Sequence, residues 1–221
     1  KKIGLYIHIP FCQQKCFYCD LPSYPGMENY WESYIDALTL ELILKAEEFE
    51  KPYVETIFIG GGTPSLIPAM YISKILDTVF LHYKVSPDCE CTIECNPGTL
   101  TDDKLKSYKY SGVNRLSIGL QACQNKILKE LGRIHTYEDF LLSIKLARKH
   151  EFDNINADII FGIPNQTLMQ WQETIGQIIS LDLAHISCYS LLIEEGTVYG
   201  NMKNEGAIKV VEDELDRKMY H

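Results

Sequence analysis

The stretch Asn156-Ala157-Asp158-Ile159-Ile160-Phe161 is a short, mostly apolar run of the kind that forms a buried strand. A segment of helical period follows at 168–181, and a second strand-like run comes next, His185–Ser190. A strand, a helix and another strand in this order form a βαβ unit whose two strands pair in parallel. The helix would begin after Thr167, because threonine is a favoured helix-capping residue. This stretch therefore predicts a parallel α/β sheet.

The same alternation of strand and helix extends over the rest of the chain. The predicted strands are Leu5–Ile9, Thr56–Gly60, Glu90–Glu94, Arg115–Gly119, Asn156–Phe161 and His185–Ser190. Helical periodicity occurs at 29–50, 68–82, 102–110, 124–131, 136–150 and 168–181. Parallel strands joined by helical crossovers can close partly into a barrel. We therefore predict an α/β fold, a partial (β/α)6 parallel barrel.

One domain is predicted, because no Pro/Gly/Ser-rich linker divides the chain. Its core would occupy residues 1–200. We expect a loop at Val198–Glu205 and then a helix from Ala207 that continues to His221. Since a domain rarely ends within a helix, residues 201–221 are expected to begin a helical connection to a carboxyl-terminal domain outside this chain.

Composition excludes several classes of protein. The 221 residues are 46% hydrophobic and 23% charged, which is ordinary for a globular protein and excludes a disordered chain. The formal net charge of −9 repels phosphate backbones and anionic lipid, so nucleic acid is not an expected partner. No apolar run approaches the roughly 20 residues of a transmembrane span, and the first residues resemble a strand rather than a signal peptide. A cytoplasmic location is expected.

Three of the eight cysteines, Cys12, Cys16 and Cys19, lie within eight residues directly after the first strand. Three thiolates on a short loop can bind three corners of an iron–sulfur cube and leave the fourth iron open. A structural zinc completed by His8 or a distant cysteine is an alternative, as is a disulfide with an unpaired thiol. The remaining cysteines lie mostly in apolar runs and are expected to be packing residues; these are Cys89, Cys91, Cys95, Cys123 and Cys188.

The second strand ends in the glycine run Gly60-Gly61-Gly62, followed by Thr63 and Pro64. A loop without side chains lets backbone groups approach a ligand closely, although a tight turn would use the same residues. The run is not a phosphate-binding loop, because no Lys-Ser/Thr pair follows it. It also lacks the glycine spacing of a dinucleotide-binding loop.

Polar residues follow or interrupt the later strands. They are Glu94 with Asn96, Gln121, Arg133 and Asp158. The carboxyl ends of parallel strands meet at one rim, where active sites of such folds form. Carboxylates, an amide and a guanidinium near an open metal corner could complement a zwitterionic amino acid joined to a ribose.

At this point the sequence resembles a known family. The motifs that carry the resemblance are Tyr6-Ile7-His8-Ile9-Pro10-Phe11-Cys12-x3-Cys16-Phe17-Tyr18-Cys19-Asp20, Ile57-Phe58-Ile59-Gly60-Gly61-Gly62-Thr63-Pro64-Ser65, Glu94-Cys95-Asn96-Pro97-Gly98-Thr99, Asn114-Arg115-Leu116-Ser117-Ile118-Gly119-Leu120-Gln121, Gly132-Arg133-Ile134-His135, Asn156–Pro164 and Glu194-Glu195-Gly196-Thr197. The chain resembles the radical S-adenosylmethionine enzymes. Within them it is similar to the branch of oxygen-independent coproporphyrinogen III oxidase and its heme-chaperone relatives.

The resemblance implies a partial barrel of radical-SAM type with two cofactors. Cys12, Cys16 and Cys19 would bind a [4Fe-4S] cluster, whose unique iron is chelated by the amino and carboxylate groups of S-adenosylmethionine. Tyr6 would lie beside the cluster loop. Tyr18 would border the adenine.

The resemblance also implies how S-adenosylmethionine would be held. Gly61, Gly62 and Thr63 would line its methionyl end, Glu94 would bind the amino group and Arg133 would pair with the carboxylate.

Three further residues complete the implied site. Gln121 and Asp158 would receive the ribose hydroxyls, and backbone near Ser190 would border the adenine.

One departure bears on function. The oxidases carry a further cysteine two residues beyond the third cluster ligand, where this chain has Leu21 after Asp20. That pattern is similar to the chaperone branch, which binds heme and hands it on. We therefore expect a heme chaperone of porphyrin metabolism with heme or a porphyrin as partner. The oxidase is the alternative, an oxidoreductase, and a zinc-binding interaction protein is a rival of another class. The sequence identifies neither an electron donor nor a heme-accepting protein.

Overall fold

The computed structural model describes residues 2–221 and contains one six-stranded parallel sheet, whose strands neighbour one another in the order β1-β4-β5-β6-β7-β8. These strands are β1 (Lys2–Ile9), β4 (Tyr53–Gly61), β5 (Lys84–Cys95), β6 (Arg115–Gln121), β7 (Ile155–Phe161) and β8 (His185–Ser190). The sheet curves into a half-barrel that is open between β1 and β8, so the predicted partial (β/α)6 barrel is confirmed. Two short strands, β2 (Phe11–Cys12) and β3 (Tyr24–Pro25), pair outside the sheet and were not predicted.

Helices connect the successive strands of the sheet, and two more helices follow the last strand. They are α1 (Trp31–Glu48), α2 (Ala69–His82), α3 (Asp102–Tyr110), α4 (Asn125–Glu130), α5 (Tyr137–Lys149), α6 (Leu168–Ile179), α7 (Val198–Asn204) and α8 (Asp213–Tyr220). The predicted start after Thr167 is confirmed, because Thr167 and Gln170 form a reciprocal capping box there. Thr136 and Asp139 form a second capping box at the start of α5. Within residues 2–221, no helix combines the length and the apolar character needed to cross a membrane.

Two expectations about the end of the chain are wrong. The predicted loop at Val198–Glu205 is largely helix α7, because the Thr197 hydroxyl caps it by accepting the Gly200 N–H at 2.9 Å, and Tyr199 is buried. The predicted helix from Ala207 begins only at Asp213, after a left-handed Gly206 and an irregular segment. Acidic residues in the first turn favour that later start.

Two hydrophobic clusters stabilise the fold. The larger one fills the space between the sheet and helices, with fully buried side chains such as Ile59, Leu76 and Phe140. The smaller cluster lies under the carboxyl ends of the later strands and consists of Ala122, Ile127, Leu128, Leu131, Ile160, Ile163, Leu191 and Tyr199. Of the cysteines expected to be packing residues, Cys89, Cys91 and Cys95 are buried in the larger cluster.

The smaller cluster anchors the cysteine loop. Phe17, which lies between the second and third cysteines of this loop, packs against it. The Phe17 N–H donates to the carbonyl of Leu131 at 3.0 Å, and the Phe17 carbonyl accepts the N–H of Tyr199 at 2.9 Å. Gly132 approaches the Phe17 ring so closely that an added Cβ would lie 2.7 Å from it, and its φ of +75° favours glycine. A side chain at 132 would therefore displace the ring that anchors the loop.

Gly132→Ala should lower the free energy of unfolding by about 2–4 kcal/mol, because it combines a left-handed backbone with a steric clash. Gly98→Ala is the matched control. Gly98 has a φ of +82°, but nothing lies within 4 Å of its Cβ position, so only backbone strain of about 1 kcal/mol is expected. Urea unfolding of both variants measures the difference. Equal losses would contradict the packing role of Gly132.

Candidate cofactor site

A cavity of about 270 Å³ lies at the carboxyl ends of the strands, where the sequence predicted the site. All the predicted site residues except Tyr6 and Ser190 line it, namely Cys12, Cys16, Cys19, Tyr18, Gly61, Gly62, Thr63, Glu94, Gln121, Arg133 and Asp158. A second cavity of about 260 Å³ adjoins it, and the lining residues that the two cavities share are Gln14, Cys16, Thr63, Asn96 and Arg133. The fold therefore brings these scattered sequence positions together.

Tyr6 and Ser190 lie outside the lining of this cavity. The Tyr6 ring stacks on Phe58 at 6.2 Å and its hydroxyl contacts His8 Nδ1 at 2.9 Å. The Ser190 hydroxyl donates to Asp216 Oδ1 at 2.6 Å, on α8. Side chains at these two positions reach neighbouring groups rather than the cavity.

The glycine run lies against the cysteine loop. Gly62 N–H donates to the Ile9 carbonyl at 2.8 Å, and Thr63 N–H donates to the Phe11 carbonyl at 2.7 Å. An added Cβ on Gly62 would lie 2.7 Å from the Phe11 carbonyl oxygen and 3.0 Å from Cys12 Sγ. Glycine is therefore required at this position by the close approach of the two loops.

The cysteine sulfurs have polar neighbours. The Thr63 hydroxyl donates to Cys12 Sγ at 3.6 Å, and Arg133 Nη1 donates to Cys16 Sγ at 3.5 Å. Burial raises the pKa of the Cys19 thiol. All three are free thiols, so the disulfide alternative is not observed.

The donor set suits a cluster better than one metal ion. Among residues 2–221, no three His, Cys, Asp or Glu side chains converge on one ion position. An iron–sulfur cube holds the sulfur atoms of its cysteine ligands apart from one another, because each thiolate binds a different iron. His8, the candidate fourth zinc ligand, contacts Tyr6 through Nδ1 and the Pro22 carbonyl through Nε2 at 2.9 Å. Both of its ring nitrogens are thus already engaged.

The Arg133 guanidinium is held in place by neutral groups. Nη2 donates to Asn96 Oδ1 at 2.9 Å and to the Gly119 carbonyl at 2.7 Å, and Nε donates to His135 Nδ1 at 3.3 Å. Burial and the nearby Arg133 lower the pKa of His135 to about 3, so this imidazole is neutral and its Nε2–H donates to the Leu120 carbonyl at 3.1 Å. In the described part of the chain, no carboxylate forms an ion pair with Arg133. A partly buried cation without a carboxylate partner among the described residues suits an anionic ligand group.

Two carboxylates face the cavity from β5 and β7, the strands on either side of β6. Burial raises the pKa of Glu94 to about 7, and the charge of Asp158 adds to the effect, while the Gly61 N–H donating to Glu94 Oε2 at 3.0 Å opposes it. Asp158 accepts hydrogen bonds from Ser117 at 3.1 Å and from Asn156 at 2.8 Å. An ammonium group beside Glu94 would favour the ionised carboxylate. Glu94 therefore suits a cationic ligand group.

Gln121 is held in an unusual backbone conformation. The strand register shifts between Gly119 and Gln121, and Gln121 has a φ of +76°, in the left-handed region. Its side-chain Oε1 accepts the Tyr189 hydroxyl at 3.1 Å. Such strain is frequent where a side chain must be turned toward a functional site.

Several lining residues were absent from the predicted site, among them Ser117 and Tyr189. Ser117 could have been found, because it alternates with Gly119 and Gln121 along one face of β6. No comparable signal marks Tyr189, whose strand contains no fully buried residue.

Glu94→Gln should stabilise the protein, measured without added ligand, increasingly between pH 5 and pH 7.5. The folded protein holds a proton on Glu94 up to about pH 7, whereas an unfolded glutamate loses it near pH 4.5. Raising the pH through this interval therefore destabilises the wild type by about 1–3 kcal/mol but leaves the glutamine variant unaffected by this group. Unfolding free energies at several pH values measure the difference. A constant difference across this range would contradict the raised pKa.

Comparison with known proteins identifies the family. The Radical SAM superfamily matches residues 6–178. The chain is 39% identical over 216 residues to the heme chaperone HemW of Bacillus subtilis and 39% identical over 200 residues to HemW of Escherichia coli. The alignments cover 97% and 90% of this chain but 57% and 53% of those proteins, so the chain spans about half their length.

Solved structures agree with the sequence matches. Coproporphyrinogen III oxidase (HemN) from Escherichia coli, described as a radical SAM enzyme, superposes with a TM-score of 0.87 at 25% identity, over 98% of this chain and 50% of that one. Archaeal Elp3 from Methanocaldococcus infernus shares the fold alone, with a TM-score of 0.66 at 17% identity over 99% of this chain and 52% of that chain. The resemblance to the branch of HemN and HemW is confirmed, and the chain belongs to the Radical SAM superfamily.

Proposed function

We propose that this chain binds a [4Fe-4S] cluster and S-adenosylmethionine and that its protein is a heme chaperone. The observation that carries the cofactor proposal is the unpaired Arg133 guanidinium, which adjoins Cys16 in the cavity. It lies where a carboxylate ligand beside an open iron corner could reach it. Three free thiols on one short loop at the cavity suit a cluster with one open iron.

Each cavity residue would have one task. Cys12, Cys16 and Cys19 would hold the cluster. Glu94 would accept the ammonium of S-adenosylmethionine, and Arg133 would pair with its carboxylate.

The rest of the cavity would hold the nucleoside. Gln121 and Asp158 would accept the ribose hydroxyls, and Tyr18 would border the adenine. The glycine run would leave room for the methionyl chain. When bound, the cluster and S-adenosylmethionine supply one-electron chemistry, and the protein contributes position and exclusion of water.

The heme proposal comes from the HemW relatives, together with Leu21 in the cavity lining where the oxidases carry another cysteine. Heme or a porphyrin would be the partner. The alternative is radical decarboxylation of coproporphyrinogen, as the name of the HemN structure suggests. Residues 1–200 would form the core domain, and residues 201–221 would lead toward the part of the relatives that this chain does not span.

Cys12→Ala, Cys16→Ala and Cys19→Ala should each remove most of the iron, expected at about four atoms per chain after anaerobic reconstitution. Cys123→Ala and Cys188→Ala are controls, because these free thiols lie away from the cavity, and they should retain it. Iron and sulfide analysis measures the result. Equal loss in both groups would contradict the cluster assignment, and stoichiometric zinc in place of iron would favour the zinc-binding rival.

The reconstituted protein of natural length should bind heme stoichiometrically and should not convert coproporphyrinogen, even with S-adenosylmethionine and a strong reductant. Absorbance titration with heme measures binding, and chromatography detects protoporphyrinogen. Cys16→Ala is the control for conversion. Product above the level of that control would overturn the chaperone proposal in favour of the oxidase.

A further inference from the structure

A chain of hydrogen bonds runs beneath the cavity, across three neighbouring strands. Asn156 on β7 lies in register with Ser117 on β6 and with His185 on β8. Its side chain is only 1% exposed and projects on the same face of β7 as Asp158, two residues further along. A buried amide in this position must have all its polar atoms satisfied to be tolerated.

Asn156 and Ser117 together engage both oxygens of the Asp158 carboxylate. Asn156 Nδ2 donates to Asp158 Oδ1 at 2.8 Å, and the Ser117 hydroxyl donates to Asp158 Oδ2 at 3.1 Å. Asn156 Nδ2 also donates to the Ser117 oxygen at 2.8 Å. The carboxylate is therefore fixed in rotation, and each oxygen keeps a lone pair for a ligand hydroxyl.

The orientation of the Asn156 amide is determined by its partners. A carboxylate only accepts hydrogen bonds, so the amide nitrogen must face Asp158. The amide oxygen then faces β8, where it accepts from His185 Nδ1 at 2.5 Å and from the Ser187 hydroxyl at 3.0 Å. Every group in the chain has one consistent role, which excludes the flipped amide.

We infer that Asn156 is a positioning residue that orients Asp158 toward the ribose hydroxyls of S-adenosylmethionine. The inference rests on the proposed function, because that proposal assigns Asp158 to the ribose. Asn156 lines neither cavity, so it acts through Asp158 and not by contact with the ligand. A carboxylate held in one rotamer loses less entropy when it binds a hydroxyl pair.

The test measures binding of S-adenosylhomocysteine and of its 2′,3′-dideoxy analogue to the reconstituted protein by calorimetry. Asn156→Asp keeps the side-chain shape but turns an oxygen instead of an N–H toward Asp158. We expect about tenfold weaker binding of S-adenosylhomocysteine, as for Asp158→Asn, and little change for the dideoxy analogue. Ser117→Ala, a smaller change, should give a several-fold loss with the same dependence on the ribose hydroxyls.

Thr92→Val is the matched control, because Thr92 is a buried residue of the same sheet that lines neither cavity and whose hydroxyl forms hydrogen bonds with Glu90 and Arg115. It should leave both affinities unchanged. If Asn156→Asp and Ser117→Ala weaken both ligands equally, or neither, while Asp158→Asn remains selective, the positioning role is overturned and the proposed function stands. If the wild type binds neither ligand, the proposed cofactor itself is contradicted.

Discussion

The site depends on the continuation of parallel pairing beyond the end of the sheet. After β1 and β4 end, the N–H groups of Gly62 and Thr63 still donate to the carbonyls of Ile9 and Phe11. This extra pairing seats the start of the cysteine loop directly over the end of the barrel. It is possible only because residue 62 has no side chain, since a Cβ there would clash with both the Phe11 carbonyl and the Cys12 sulfur. The glycine run therefore determines where the start of the cysteine loop lies.

The electrostatic arrangement of the cavity follows from that placement. Arg133 spans the space between Cys16 and the carbonyl of Gly119, and its other partners, Asn96 and His135, are neutral. In the same cavity, burial raises the pKa of Glu94 to about 7, and the charge of Asp158 adds to this effect. A cation without a carboxylate and a carboxylate without a cation therefore share one cavity. Both are unfavourable in isolation and both are relieved by a zwitterion bound in one orientation.

Much of this arrangement could be predicted from the sequence, because the carboxyl ends of parallel strands always meet at one rim. Glu94, Gln121 and Asp158 were found in this way, since each ends or interrupts a strand. The predictions that failed concerned elements whose formation depends on tertiary contacts. Helix α7 was missed because Gly200 and Val198 weaken its local helical signal, whereas the Thr197 cap and the burial of Tyr199 decide its formation.

The direction in which a side chain points was harder to predict than the place of its residue in the fold. The strand that contains Tyr6 was predicted correctly. The sequence does not show that the Tyr6 ring stacks on Phe58, outside the cavity lining. The Ser190 hydroxyl donates to Asp216 on a helix that begins later than expected, whereas the expectation for this position concerned its backbone. Asn156 could have been noticed, because a polar residue two positions before Asp158 must lie on the same face of the strand. Its positioning role could not be predicted, because that role depends on partners on β6 and β8. Only the strand register shows which residues these partners are.

The two hydrophobic clusters divide the fold into parts of unequal stability. The barrel is held by the larger cluster, which extends from β1 to α8. The cysteine loop is anchored by the smaller cluster, through Phe17 against Leu131 and Tyr199. Fewer buried contacts imply that this part opens more readily than the barrel does. Ligation of three thiolates would join the loop to a rigid group, so that metal binding would add to the stability of the loop more than to that of the barrel. The three cysteines of the candidate site thus lie on the part of the fold that the smaller cluster holds, where a bound cofactor would contribute to the structure that holds it.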